Sequence, residues 1–187
     1  VSVTNSVGTS GPLQKNRYTY TATTPTITSL SPTSGVRLGG TTVVITGTNF
    51  QPNATVQFNA TSATTFTVDS LTQITALVPT GATTGPVRVT TTSGTGSSAT
   101  NFTVIPTPTI TSFTPLSAAV GATVTVTGTN LTGATAVTFG STITTPASIA
   151  NNGTSLTVVV PAGATTGTIK VTTPGGVSTS ASTFTVL

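Results

Sequence analysis

The side chains able to do chemistry in this chain are few: one carboxylate, Asp69, and two lysine amines, Lys15 and Lys170, with no His and no Cys among 187 residues. General acid–base catalysis needs a group that titrates near working pH, usually His or a pair of carboxylates. One Asp makes no pair. A nucleophilic Ser or Thr needs a neighbouring base; only the two lysines are of that kind, and nothing in the sequence points to burial of either. Zn²⁺ wants Cys or His and Ca²⁺ wants several carboxylate oxygens, so Asp69 with backbone carbonyls makes at most a weak Ca²⁺ site. A Lys–Asn isopeptide bond needs a buried acid beside it, and Asp69 and Lys170 fall in different halves of the chain. No catalytic residue, metal or cofactor is expected.

The remaining candidates concern binding and modification. Lys15, Arg17, Arg37, Arg88 and Lys170 give a net charge of +4 against the single acid. They are scattered, whereas nucleic-acid binders cluster Lys and Arg to displace counterions; nucleic acid is not expected. The glycine-rich stretches "TSGTGSS" and "TTPGGVS" are followed by no helical periodicity, so they predict hairpin turns and not phosphate loops. Asn53, Asn59, Asn101, Asn130 and Asn152 each open an Asn-x-Thr sequon. In so Thr-rich a chain several arise by chance, and they are acceptors only in a glycosylating host. The Thr and Ser surplus offers O-linked acceptors too, although soluble strand faces account for it. Sugar sites favour aromatic platforms, and besides Phe the chain has only Tyr18 and Tyr20.

The elements that must carry these residues are strands. Thr is roughly a quarter of the sequence, far above ordinary usage; it is β-branched, and its hydroxyl keeps a solvent-facing strand wet without charge. Val, Ile and Phe alternate with Thr, and no apolar run is long enough to span a membrane. In "TTVVITGTNF", Val43 and Ile45 face one way and Thr42, Val44 and Thr46 the other. Gly47 and Asn49, both tolerant of positive φ, predict a turn after them. Pro79 and Pro161 close the apolar runs ending at Val78 and Val160 by removing a ladder donor. Phe58, Phe102, Phe139 and Phe184 are the expected core anchors. The fold class is all-β.

The chain repeats itself. "PTITSLSPTSG" from Pro25 matches "PTITSFTPLSA" from Pro108, and "VPTGATTGPVRVTT" from Val78 matches "VPAGATTGTIKVTT" from Val160. The offset is about 81 to 83 residues throughout, as in tandem domains. The opening stretch aligns with the end of each repeat: Val1 and Val3 take the places of Val87 and Val89, and Tyr18 and Tyr20 those of Phe102 and Val104. Residues 1–23 are therefore expected to be the closing hairpin of a preceding, incomplete repeat, followed by repeats at 24–105 and 106–187. Short proline-bearing linkers, "TTP" and "IPTP", act as semi-rigid spacers and predict a beads-on-a-rod arrangement.

The order Pro-x-Ile-x-x-x-x-Pro, then Gly-Gly-Thr-x-Val-x-Ile-x-Gly-x-x-Phe, then Val-Pro, then a Gly turn before Val-x-Val resembles the IPT/TIG domain. Pro32, Gly35, Gly39, Gly40, Thr41, Ile45, Gly47 and Phe50 carry the likeness in the first repeat. The second has a turn two residues shorter, with Ala119 and Val120 for Leu38 and Gly39, and Leu131 for the Phe. The resemblance implies immunoglobulin-like β-sandwiches of E-set type. It also implies a non-catalytic extracellular or cell-surface structural repeat, part of a bacterial stalk, fibre or filament assembled end to end. Its partners would be neighbouring repeats or copies of itself. An isolated hairpin is marginal in water, so Val1, Val3, Tyr18 and Tyr20 are candidate assembly strands, completed by strands from elsewhere. The alternative is a glycan- or protein-binding adhesin module.

Overall fold

The computed structural model describes Thr4–Asn5, Gly8–Thr9 and residues 23–150 and 152–187. Val1, Val3, Tyr18 and Tyr20 lie outside the described residues. Among the described residues the regular structure is all strand. At the N-terminal end, β1 (Thr4–Asn5) pairs antiparallel with β2 (Gly8–Thr9).

The first repeat contributes β3 (Thr26–Ser31), β4 (Ser34–Val36), β5 (Thr42–Thr48), β6 (Thr55–Phe58) and β7 (Thr61–Ser62). It continues with β8 (Phe66–Ser70), β9 (Gln73–Leu77), β10 (Gly85–Thr91) and β11 (Gly94–Ile105). They form a four-stranded sheet, β3-β5-β9-β8, and a five-stranded sheet, β4-β11-β10-β6-β7. The second repeat contributes β12 (Thr109–Thr114), β13 (Ser117–Ala118), β14 (Thr123–Thr129), β15 (Ala136–Phe139) and β16 (Thr142–Thr144). Then come β17 (Ser148–Ile149), β18 (Ser155–Val159), β19 (Gly167–Thr173) and β20 (Gly176–Val186). Its sheets, β12-β14-β18-β17 and β13-β20-β19-β15-β16, repeat the same order.

Side-chain period two decides which face each strand buries. On β5, Val43 and Ile45 are fully buried while Thr42, Thr46 and Thr48 face solvent; on β14, Val124 and Val126 are buried between Thr123, Thr125 and Thr127. The expected anchors close each core. The Phe58 and Phe102 rings meet edge to face with centroids 5.1 Å apart, and those of Phe139 and Phe184 do so at 5.0 Å. One aromatic changes place between the cores. The first has Leu30 and Phe50 where the second has Phe113 and Leu131, all four buried, so a ring lost at one position returns at another.

Glycine placement follows two different constraints. Asn49 (φ 59°) adopts the left-handed conformation after its strand, as expected, and Asn130 (φ 55°) does so after the matching strand. Gly47 does not turn, contrary to expectation: it lies inside β5. A Cβ at Gly47 would run into the Thr26 carbonyl and the Phe50 ring, and one at Gly128 would strike the Thr109 carbonyl. Close backbone approach at the bulge in the first strand of each repeat requires these residues. The glycine-rich stretches are hairpin turns, with Thr91 paired to Gly94 and Thr173 to Gly176.

The shorter turn of the second repeat keeps its anchoring bond. Gly40 N–H donates to Val78 O and Gly121 N–H to Val160 O, both at 2.9 Å. One of the two residues lost comes from the strand before: β4 pairs in parallel with β11 over three residues, and β13 with β20 over two.

Candidate functional site: the junction between the repeats

The connection Ile105–Pro106–Thr107–Pro108 is short, and two prolines leave it few backbone donors. Its carbonyls are taken from both sides. Arg37 N–H, from the first repeat, donates to Ile105 O at 3.0 Å. The Asn130 Nδ2 amide, from the second, donates to Thr107 O at 2.9 Å. Between them the Pro106 carbonyl lies against the bare Cα of Gly175, where a Cβ would collide with it. Two residues beyond the connection, Ile110 N–H donates to Ser178 Oγ at 3.1 Å. The exposed Leu38 side chain of the first repeat reaches the hairpin of the second, where a Cβ on Gly176 would stand 3.5 Å from its Cδ1.

The same device holds the start of the first repeat. Asn49 Nδ2 donates to Thr24 O at 3.1 Å, and a Cβ on Gly94 would come within 2.7 Å of Thr24 Cγ2. In both places a left-handed Asn after β5 or β14 clips the incoming segment. Sequence reasoning read "GTN" as a turn and missed the clip; its recurrence at Asn49 and Asn130, each followed by a buried large residue, was the available signal.

A cleft of about 280 Å³ opens at the junction, lined by Ile105, Pro106, Asn130, Thr132, Pro174 and Gly175 among others. It holds amide, hydroxyl and aliphatic groups and no carboxylate. Asp69 sits elsewhere on β8, where its Oδ2 accepts from Thr75 Oγ1 at 2.7 Å and Gln73 Nε2 at 3.3 Å. Lys170 is exposed on β19 in the other repeat. Among the described residues no three His, Cys, Asp or Glu side chains come together. Six of the seven Phe residues are buried and Phe66 is half-buried.

The sequons divide into two kinds. Asn59, itself left-handed (φ 55°), donates its amide to Thr83 Oγ1 at 2.9 Å and sits against Gly85. Asn130 spends its amide on the linker. Asn53, Asn101 and Asn152 are exposed. Asn152 Oδ1 accepts from Thr154 N–H at 3.2 Å and from Thr154 Oγ1 at 2.7 Å, which leaves its Nδ2 outside these bonds.

Paired four- and five-stranded sheets, a strand that crosses between them and an Asn-clipped linker define a tandem immunoglobulin-like protein. The IPT/TIG domain profile matches residues 25–104 and 108–186, and the chain belongs to that family. Among solved structures it is similar to SGBP-B from a complex xyloglucan utilization locus in Bacteroides uniformis. The identity is 22% over 87% of this chain and 50% of that one, with a TM-score of 0.42. It is similar to the plexin A4 extracellular region at 20% identity, over 95% of this chain and 20% of that one, with a TM-score of 0.46. A surface glycan-binding protein from Prevotella bryantii gives 18% identity over 87% and 42%, with a TM-score of 0.40. The chain thus spans half or less of each. No curated protein sequence matches it.

Proposed function

We propose that this chain is a non-catalytic structural segment of an extracellular or cell-surface protein, its IPT/TIG modules set in series as part of a stalk or fibre. One observation carries the reading: the linker is bonded from both sides, by Arg37 N–H to Ile105 O and by Asn130 to Thr107 O, with Gly175 packed on Pro106. A tether that only needed to connect two binding modules would have no use for such capture. A sugar-binding role finds no exposed ring among the described residues, since every Phe contributes to a core.

Residues 1–23 belong to this reading as the closing hairpin of another repeat, with Val1, Val3, Tyr18 and Tyr20 as strands completed by that repeat or by a neighbouring copy. Its support is register. Thr4 pairs with Thr9 and Asn5 with Gly8, as Thr90 pairs with Thr95 and Thr91 with Gly94 at the tip of the first full repeat.

Small-angle scattering on the whole chain tests the series arrangement. A pair-distance distribution with two resolved maxima is expected, which Gly175→Ala blurs by displacing the linker from its seat. A featureless distribution in the unaltered chain, the signature of freely jointed modules, would overturn the proposal.

A further inference from the structure

Each repeat is entered and left at opposite ends. The start of β3 lies beside the start of β11, where a Cβ on Gly96 would meet the Pro25 carbonyl. The end of β4 lies beside the end of β11, where Val36 pairs with Ile105. The points of entry and exit are therefore separated by most of β11, Gly96 to Ile105, on the order of 30 Å at about 3.3 Å per residue. Tension between them pulls β3 and β4 one way along the strand axis and β11 the other. The parallel bonds between β4 and β11 are then strained together. In a hairpin pulled open at its mouth they would break one after another. Parallel pairing of the first and last strands is thus a shear clamp, and both repeats contain it.

The clamps are unequal. In the first repeat the bonds run from Thr103 N–H to Thr33 O, at 2.9 Å, as far as Arg37 N–H to Ile105 O, at 3.0 Å. In the second they run from Thr185 N–H to Leu116 O, at 3.0 Å, as far as Leu187 N–H to Ala118 O, at 3.1 Å. The chain then turns away, with Ala122 N–H bonded to Ala119 O. The shorter turn leaves no residue in Arg37's position, so the first repeat has one rung more. The antiparallel pairing of the entering strand is matched in the two, five residue pairs each with the bulge at the same place. The clamp is where resistance to pulling differs.

We infer that the chain is a graded tension element, in which the second repeat yields before the first. This rests on the reading of the repeats as modules in series. A single molecule held by its two ends nevertheless reports on the clamps whether or not scattering shows a fixed junction, so the two can fail separately.

The test is force spectroscopy on the whole chain. Twelve Gly/Ser residues inserted after Gly163, a turn residue where a Cβ would meet nothing and whose carbonyl accepts from Thr142 Oγ1, lengthen the extension released by the second repeat by about 40 Å and so label it. The longer release is expected first, with the first repeat unfolding about five-fold more slowly at a fixed force, the effect of one backbone bond. Arg37→Pro deletes the extra rung and should bring the two rates together. A converse variant covers the case in which that proline prevents folding. Replacing Ala118–Ala122 with the sequence of Gly35–Thr41 should raise the second repeat to the first. Release of the shorter segment first, or equal rates in the unaltered repeats, overturns the inference, as does a converse variant that leaves the order unchanged.

Discussion

A methyl group on Gly35 would stand 2.9 Å from Thr41 Cβ and 3.0 Å from Phe102 Cζ. In the second repeat the matching residues are Ala118 and Ala122. Where the clamp strand gains a methyl group, the turn residue facing it loses a branched side chain, so the two repeats pack one site by exchanging bulk. Thr41 also receives a long bond, 3.4 Å, from Val36 N–H, which ties the turn to the clamp.

Gly35→Ala should therefore destabilise the first repeat by about 1–3 kcal/mol, the usual effect of overpacking. Thr41→Ala in the same chain should recover part of that loss. Denaturant melts of the two single variants and the double give the coupling directly. Additive losses would mean that the methyl group is accommodated elsewhere and that the exchange of bulk is incidental.

The asparagine clip separates conformation from hydrogen bonding. Asn130→Gly keeps the left-handed backbone, which glycine adopts freely, and removes only the amide that holds Thr107 O. Melting of the second repeat should change by no more than about 1 kcal/mol, while residual dipolar couplings should report a wider spread of orientations between the repeats. Asn49→Gly is the control: it frees Thr24 O and should leave the spread unaltered.

Among the sequons, Asn59 and Asn53 offer the sharpest contrast. Asn59→Asp replaces a donor with a carboxylate facing Thr83 Oγ1 and the Thr84 carbonyl. The Thr83 hydroxyl can turn to donate to it, but the Thr84 carbonyl then faces another acceptor, and a loss of about 1 kcal/mol is expected. Asn53→Asp, at an exposed turn, should stay within about 0.5 kcal/mol. Thermal melts of the two variants suffice, and equal shifts would show that the Asn59 bonds contribute nothing to the fold.

Much of this architecture was legible because strand period and repetition are local signals. Val43 and Ile45 announce a buried face by spacing alone, and the Pro25 and Pro108 stretches announce one another. Phe58, Phe102, Phe139 and Phe184 were found as anchors for the same reason. Gly47 was misread because the reason for a glycine there is non-local: the carbonyl of Thr26, on another strand, comes too close for a side chain. The linker capture was hidden likewise. Asn130 and Thr107 are far apart in sequence, and "GTN" reads equally well as a simple turn. The unequal clamps sat in plain view as a two-residue deletion, but its consequence appears only when β4 and β13 are seen paired with the last strands.

Among the described residues the buried side chains form two clusters, one from Ile27 to Val104 and the other from Phe113 to Phe184, with no member in common. Each repeat then has its own core and should unfold as its own cooperative unit. Calorimetry on the whole chain should need two transitions to fit the two repeats, and Gly35→Ala should lower only one of them. On the proposal that residues 1–23 close another repeat, removing them should leave both where they were. If its removal lowers the transition of the first repeat by more than a degree or two, the N-terminal hairpin packs on that repeat and cannot be waiting for strands of another.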